Sequence, residues 1–223
     1  MPKTNSKVVV PLTTIKAAIF DIDGTMVDNM EYHKKAWKMF YNIHQLRITK
    51  DILRLLTQGG KRNDEILREV FGIISKDLIK QYGSEKEQLY RNMYTKKIKP
   101  IKGLIDTLNY FKDNGICLAV ATSATKVNMD LILKSLHIDG YFQVTVCGDE
   151  VTKGKPNPEI FLTAAERLHL RPPECVVFED SVSGISAAHQ AGMTSIGVLS
   201  GESRERLRAD YFINNFDELE FVS

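Results

Sequence analysis

The chain has no apolar stretch near the roughly 18 residues that a membrane-spanning helix requires, so no membrane partner is expected. Its N-terminal V-V-V-P-L run is too short and too interrupted by proline to serve as a secretory signal. Cysteine is scarce, with Cys117, Cys147 and Cys175 the only three in 223 residues. An odd number without close spacing suggests neither a disulfide framework nor a metal cluster, and each one lies in or beside an apolar run, as a small buried hydrophobe would. A reducing, cytoplasmic setting is expected. An excess of one charge is lacking too, because 30 Lys and Arg against 28 Asp and Glu leave a formal charge of +2. The two signs are interspersed, without the strong basic balance of a nucleic-acid binder, so no nucleic-acid partner is expected. Internal repeats and low-complexity tracts are absent.

What is present begins with enough apolar material, 43% of the chain, to bury a proper core. Residues 1–14 show no clear element and read as a partly ordered extension. I-K-A-A-I-F, residues 15–20, is a short apolar run that stops at two acids and a glycine, the pattern of a buried strand followed by a turn. From Glu31 to about Lys99 the character changes to helical spacing, as in Ala36, Trp37, Phe40 and Ile43, with no β-branched strand runs. Breaks at Gly59-Gly60, Gly72 and Gly83, and a capping box from Ser84 and Glu87, predict an insert of three to five helices. After Pro100, helices near 103–113, 125–136, 158–169 and 183–191 alternate with strands at 117–121, 143–147, 175–178 and 195–198. Alternation of this kind builds an α/β fold with a doubly wound parallel sheet. The expected division is a core of residues 1–29 and 100–223 carrying an α-helical insert of residues 30–99.

Acids and hydroxyls stand at the C-terminal ends of three predicted strands: Asp21 and Asp23, then Thr122 and Ser123, then Glu179 and Asp180. A parallel sheet gathers strand ends at one edge. Carboxylates brought together repel unless a divalent cation neutralises them, and an all-oxygen set suits Mg²⁺. Lys155, in G-K-P-N-P, can add the positive charge that a phosphate and a carboxylate nucleophile both require. Singly, each feature has a plainer reading: D-I-D-G-T as a turn, Thr122-Ser123 as a helix cap, Glu179-Asp180-Ser181 as capping and dipole compensation, Lys155 as a solvated turn residue. Their order and their shared position at strand ends favour a site.

D-I-D-G-T, the V-A-T-S strand end, G-K-P-N-P-E-I-F and F-E-D-S-V-S-G-I together resemble the four ordered motifs of haloacid dehalogenase-like phosphohydrolases, over roughly residues 15–200. The resemblance implies a Rossmann-like core with the insert as a cap. It implies Asp21 as nucleophile, forming an aspartyl-phosphate, and Asp23 as general acid and base. Mg²⁺ would be held by the Asp21 side chain, the Asp23 carbonyl and Asp180, with Glu179 a ligand or a neighbour of one. Thr122 and the Ser123 backbone would bind phosphate oxygens, with Lys155 balancing charge. E-Y-H-K-K-A-W-K and G-G-K-R-N-D further resemble the β-phosphoglucomutase branch, implying substrate roles for His33 and Arg62 in the cap, with Lys86 a further cap lysine. Thr25 in D-G-T, and an S-A-T-K run that needs an extra position to align Lys126, lean towards hydrolysis. The expected function is therefore a Mg²⁺-dependent phosphatase acting, as a monomer, on a small phosphorylated metabolite such as a sugar phosphate. β-Phosphoglucomutase is the alternative, and a non-catalytic phospho-acceptor switch is the alternative of another class.

Overall fold

The computed structural model describes residues 7–11, 14–50, 52 and 60–222; the expected break at Gly59 lies outside the described residues. Its centre is a parallel sheet of six strands: β2 (Ala17–Phe20), β3 (Cys117–Ala121), β4 (Val144–Val146), β5 (Cys175–Glu179), β6 (Thr194–Val198) and β7 (Tyr211–Ile213). Their spatial order is β4-β3-β2-β5-β6-β7. β2 pairs with β3 on one side and β5 on the other, so the chain winds outward from β2 in both directions. That reversal places a crevice at the C-terminal end of β2, where open α/β sheets bind ligands.

The central strands are almost wholly apolar because both faces are covered. Ala18, Phe20, Leu118, Val120, Val176 and Phe178 point into one buried layer, and Ala17, Ile19, Ala119, Ala121, Cys175 and Val177 into the other. Phe20 stacks flat on Phe178 at 4.5 Å, with Phe111 at their edges. Such aromatic pairs contribute about 0.5–1.5 kcal/mol each beyond their buried area. Cys147 and Cys175 are buried and Cys117 is half-buried; all are free thiols.

Among the described residues between β2 and Pro100 lie α1 (Met30–Ile43), α2 (Asn63–Phe71) and α3 (Lys76–Tyr94). Trp37, Phe40, Tyr41, Ile66, Leu67 and Ile79 give these helices an apolar cluster of their own, while Ala36, Tyr90 and Tyr94 join the layer beneath the sheet. Ile43, placed with the apolar stripe by its spacing, is instead 54% exposed at the end of α1. Gly72 terminates α2 with φ 68°, as expected of a helix-ending glycine. Gly83 does not break a helix. α3 starts at Ser75, whose hydroxyl accepts from the Leu78 N–H, and runs straight through Gly83, so Ser84 and Glu87 lie in its interior and not in a capping box. An interior glycine costs only about 1 kcal/mol, and the burial of Ile79, Tyr90 and Tyr94 offsets it.

The remaining helices, α4 (Leu104–Asp113), α5 (Lys126–Ser135), α6 (Glu159–Arg167) and α7 (Val182–Gln190), lie where the alternation predicts them. β1 (Val8–Pro11) does not. It falls in the stretch read as an extension and pairs in parallel with β8 (Leu219–Val222), a contact across almost the whole chain that no local pattern encodes. β7 and the one-turn α8 (Arg204–Leu207) were likewise too short to register.

Candidate active site

The residues singled out at strand ends converge. Asp21 follows β2, Thr122 follows β3, and Glu179 ends β5 with Asp180 after it. Asp21 extends the ladder by donating its N–H to the Phe178 carbonyl (3.0 Å), which fixes its backbone beside Glu179. One carboxylate oxygen from each of Asp21, Glu179 and Asp180 lies within 4.8 Å of the others. Gly24, with φ 81°, turns the loop back over them, and a Cβ at that position would land on the Asp180 carboxylate.

Lys155 is the counter-charge. Its ammonium is buried and donates to Asp21 Oδ1 (2.7 Å), Glu179 Oε1 (2.8 Å) and the Ala121 carbonyl (3.3 Å), so it is no solvated turn residue. Burial would lower its pKa, but Asp21 and Glu179 outweigh that and hold it above the ordinary lysine range. One lysine does not satisfy three acids. Burial pushes Asp21 up to about 7, helped by Glu179 and Asp23 and opposed by Lys155. Burial, with Glu179 and Asp21, also raises Asp180 well above the carboxylate range. Crowded, all-oxygen carboxylates pushed towards protonation are the donor set that a hard divalent cation neutralises, so these residues fit Mg²⁺.

Asp23 faces elsewhere. Its carboxylate accepts a hydrogen bond from Asn29 (2.6 Å) and lies 3.5 Å from His33 Nε2. Burial would raise its pKa, but His33 and Asn29 outweigh that and hold it low. Asp21 and Asp23 thus stand in contrasting environments.

Both aspartates line a cavity of about 700 Å³ that also takes in Thr122, Ser123, His33, Arg62 and Lys86. Lys86 is buried, donates to His33 Nδ1 (2.8 Å) and Glu87 Oε1 (2.8 Å), and His33 stacks on Tyr90 at 3.9 Å. Arg62 turns to the β4–α6 segment, donating to the carbonyls of Val151 (2.5 Å) and Gly148 (3.2 Å) and pairing with Asp64. The Ser123 hydroxyl donates to the Gly60 carbonyl (2.6 Å), while the Thr122 hydroxyl accepts from the Ala124 N–H (3.2 Å). Sequence reasoning missed Asn29, Glu65, Glu87 and Asn128. Asn29 binds Asp23 and the Tyr90 hydroxyl, and Glu65 accepts from the Gly154 N–H just before Lys155. No spacing flags them, because each is placed by a contact with a segment distant in sequence: Asn29 with Tyr90, Glu65 with Gly154, and Glu87 with Asn128.

The model of haloacid dehalogenase-like hydrolases matches residues 18–198, most of the chain and every strand-end residue described above. The chain belongs to that family. Among curated relatives, this haloacid dehalogenase-like hydrolase is 33% identical to a phosphorylated carbohydrates phosphatase of Thermotoga maritima, over 82% of this chain and 84% of that one. It is also 33% identical to the β-phosphoglucomutase of Bacillus subtilis, over 92% of each chain. Among solved structures, a family IA hydrolase of Entamoeba histolytica superposes with a TM-score of 0.81 at 31% identity, covering 92% of this chain and 96% of that one. The chain is therefore an enzyme, a phosphohydrolase or mutase of this family, and the reading as a non-catalytic switch is set aside.

Proposed function

We propose that the protein is a Mg²⁺-dependent phosphatase that hydrolyses a small sugar phosphate through an aspartyl-phosphate on Asp21. The observation that carries this reading is the contrast between Asp21, held by Lys155 beside two further acids, and Asp23, turned to His33 at the same cavity. Asp21 Oδ attacks phosphorus, and the bond from phosphorus to the ester oxygen breaks. Asp23, an anion at rest, must take up a proton when substrate binds, and gives it to the departing oxygen. It then takes one from the water that attacks the aspartyl-phosphate, releasing inorganic phosphate and regenerating Asp21. Lys155 holds Asp21 in line and offsets charge on the transferring group, while Thr122 and the Ser123 backbone orient its oxygens. Mg²⁺, when bound by Asp21, Asp180 and the Asp23 carbonyl with Glu179 alongside, supplies the positive charge that lets a phosphate dianion approach a carboxylate.

In this reading residues 30–99 are the cap, which closes over the substrate, excludes bulk water and contacts the non-reacting part through His33, Lys86 and Arg62. The relatives named for sugar phosphates support that substrate class. The likeness to a β-phosphoglucomutase over 92% of each chain supports the mutase as the second reading. Hydrolysis is favoured because Thr25 stands in D-G-T and the S-A-T-K run needs an extra position to align Lys126. A monomer in the cytoplasm completes the proposal.

The test is purified protein with Mg²⁺ and a panel of phosphorylated metabolites, including β-glucose 1-phosphate with catalytic glucose 1,6-bisphosphate, following free phosphate and glucose 6-phosphate separately. Stoichiometric phosphate release from one or a few sugar phosphates is expected. Glucose 6-phosphate formed with little free phosphate would replace hydrolysis by the mutase reading.

A further inference from the structure

Glu87 is a buried carboxylate that the proposed chemistry does not use. It lies on α3 next to Lys86, and burial would push its pKa up, but Lys86 and His33 outweigh that and hold it at about 2. It is therefore an anion at neutral pH. One oxygen accepts from Lys86 Nζ (2.8 Å) and Asn63 Nδ2 (2.6 Å), both within the helical insert. The other accepts from Nδ2 of Asn128 (2.5 Å), a buried residue on α5, in the chain beyond β3. Asn128 Oδ1 in turn accepts from Arg91 (3.0 Å), four residues along α3.

The link continues towards the chemistry. Lys86, neutralised and held by Glu87, has only donors, so its contact at 2.8 Å makes His33 Nδ1 the acceptor. The ring proton then sits on Nε2, which points at Asp23 Oδ1 across 3.5 Å, a separation longer than a formed hydrogen bond and closed by a small movement. We infer that Glu87 and Asn128 are positioning residues. Their hydrogen bond joins insert to core and, through Lys86 and His33, aims the Asp23 carboxyl at the leaving oxygen. When the insert lifts from α5, Glu87 loses its core partner and the alignment of Lys86 and His33 relaxes. Proton donation is thereby tied to closure. A carboxylate with partners on both sides does this better than a surface ion pair, because an unpaired buried anion is costly and the joined state is strongly preferred.

This inference rests on the proposed role of Asp23, and the test separates the two. A series of substituted phenyl phosphates spans leaving groups that need protonation and leaving groups that do not. kcat/KM is measured with Mg²⁺ for each. Removing a well-placed acid steepens the dependence of kcat/KM on leaving-group basicity, because only the poorer leaving groups need the proton. Glu87→Gln is expected to lose about tenfold on unsubstituted phenyl phosphate and no more than about twofold on p-nitrophenyl phosphate, a fraction of the full general-acid contribution. Asn128→Ala, which cuts only the core end, is expected to steepen the slope in the same sense. Both variants are compared with wild type in proteins whose circular dichroism matches it. Equal losses across the series would overturn the inference by showing a merely structural effect, and so would a slope that neither variant changes. If Asp21→Asn left turnover intact, or Asp23→Asn left the slope unchanged, the underlying reading would fall instead.

Discussion

Replacing Lys155 by methionine removes one ammonium and keeps most of the side-chain volume. In the native protein that ammonium, wholly buried and lying over the Phe161 ring at 5.0 Å, bridges Asp21 and Glu179 at 2.7 and 2.8 Å. Lys155→Met leaves two buried carboxylates, with Asp180 nearby, and takes away the ammonium that lies between them. Breaking a buried pair by removing one partner costs about 3–5 kcal/mol. For a chain of this size each kcal/mol lowers Tm by about 2–4 °C, so the variant should melt roughly 6–20 °C below wild type. The assay is thermal unfolding followed by circular dichroism at pH 8 in excess chelator, repeated with Mg²⁺. Mg²⁺ is expected to raise the Tm of the variant more than that of wild type, because it supplies charge that the variant lacks. A variant that melts within about 2 °C of wild type in chelator would refute the reasoning, since Lys155 would then not be compensating these acids.

The other expectations follow from single contacts. Glu87 is held at about 2 against an ordinary 4.5, so it contributes stability that is present above pH 4.5 and lost as the pH falls towards 2. Roughly 2.5 pH units at 1.36 kcal/mol each put that contribution near 3 kcal/mol; acid unfolding of wild type and Glu87→Gln should converge over this window, and a constant gap would contradict it. Gly184→Ala should destabilise by about 1–3 kcal/mol although alanine is the better helix former, because its Cβ would land on the Glu179 carboxylate. Urea unfolding checks the sign, and a more stable variant would show that Glu179 is placed otherwise. Thorough chelation should abolish phosphate release and Mg²⁺ should restore it; undiminished turnover in chelator would remove the metal from the mechanism.

Much of the site could be read locally because its parts sit where secondary structure changes. Buried parallel strands are continuous apolar runs, so the acids at Asp21, Glu179 and Asp180 and the hydroxyl at Thr122 mark their ends directly. Lys155 was legible as chemistry but not as a buried group, since its burial depends on where α6 and β5 place Phe161 and Glu179. Gly83 misled because a glycine's helix cost is local and small, whereas the packing of Tyr90 and Tyr94 that overrides it is not. The β1–β8 pair and the Glu87–Asn128 and Arg62–Val151 contacts join segments far apart in the chain. Nothing in the periodicity of either partner announces such contacts.

The central claim is that Asp21 becomes phosphorylated during turnover. It is tested most directly by mixing the enzyme and Mg²⁺ with the sugar phosphate it turns over fastest, quenching in acid within milliseconds, and mapping phosphorylated peptides by mass spectrometry. The account predicts a phosphoryl group on the peptide containing Asp21, sensitive to hydroxylamine as an acyl phosphate must be, and absent from a folded, inactive Asp21→Asn protein. Turnover without any such adduct, together with an active Asp21→Asn protein, would contradict it.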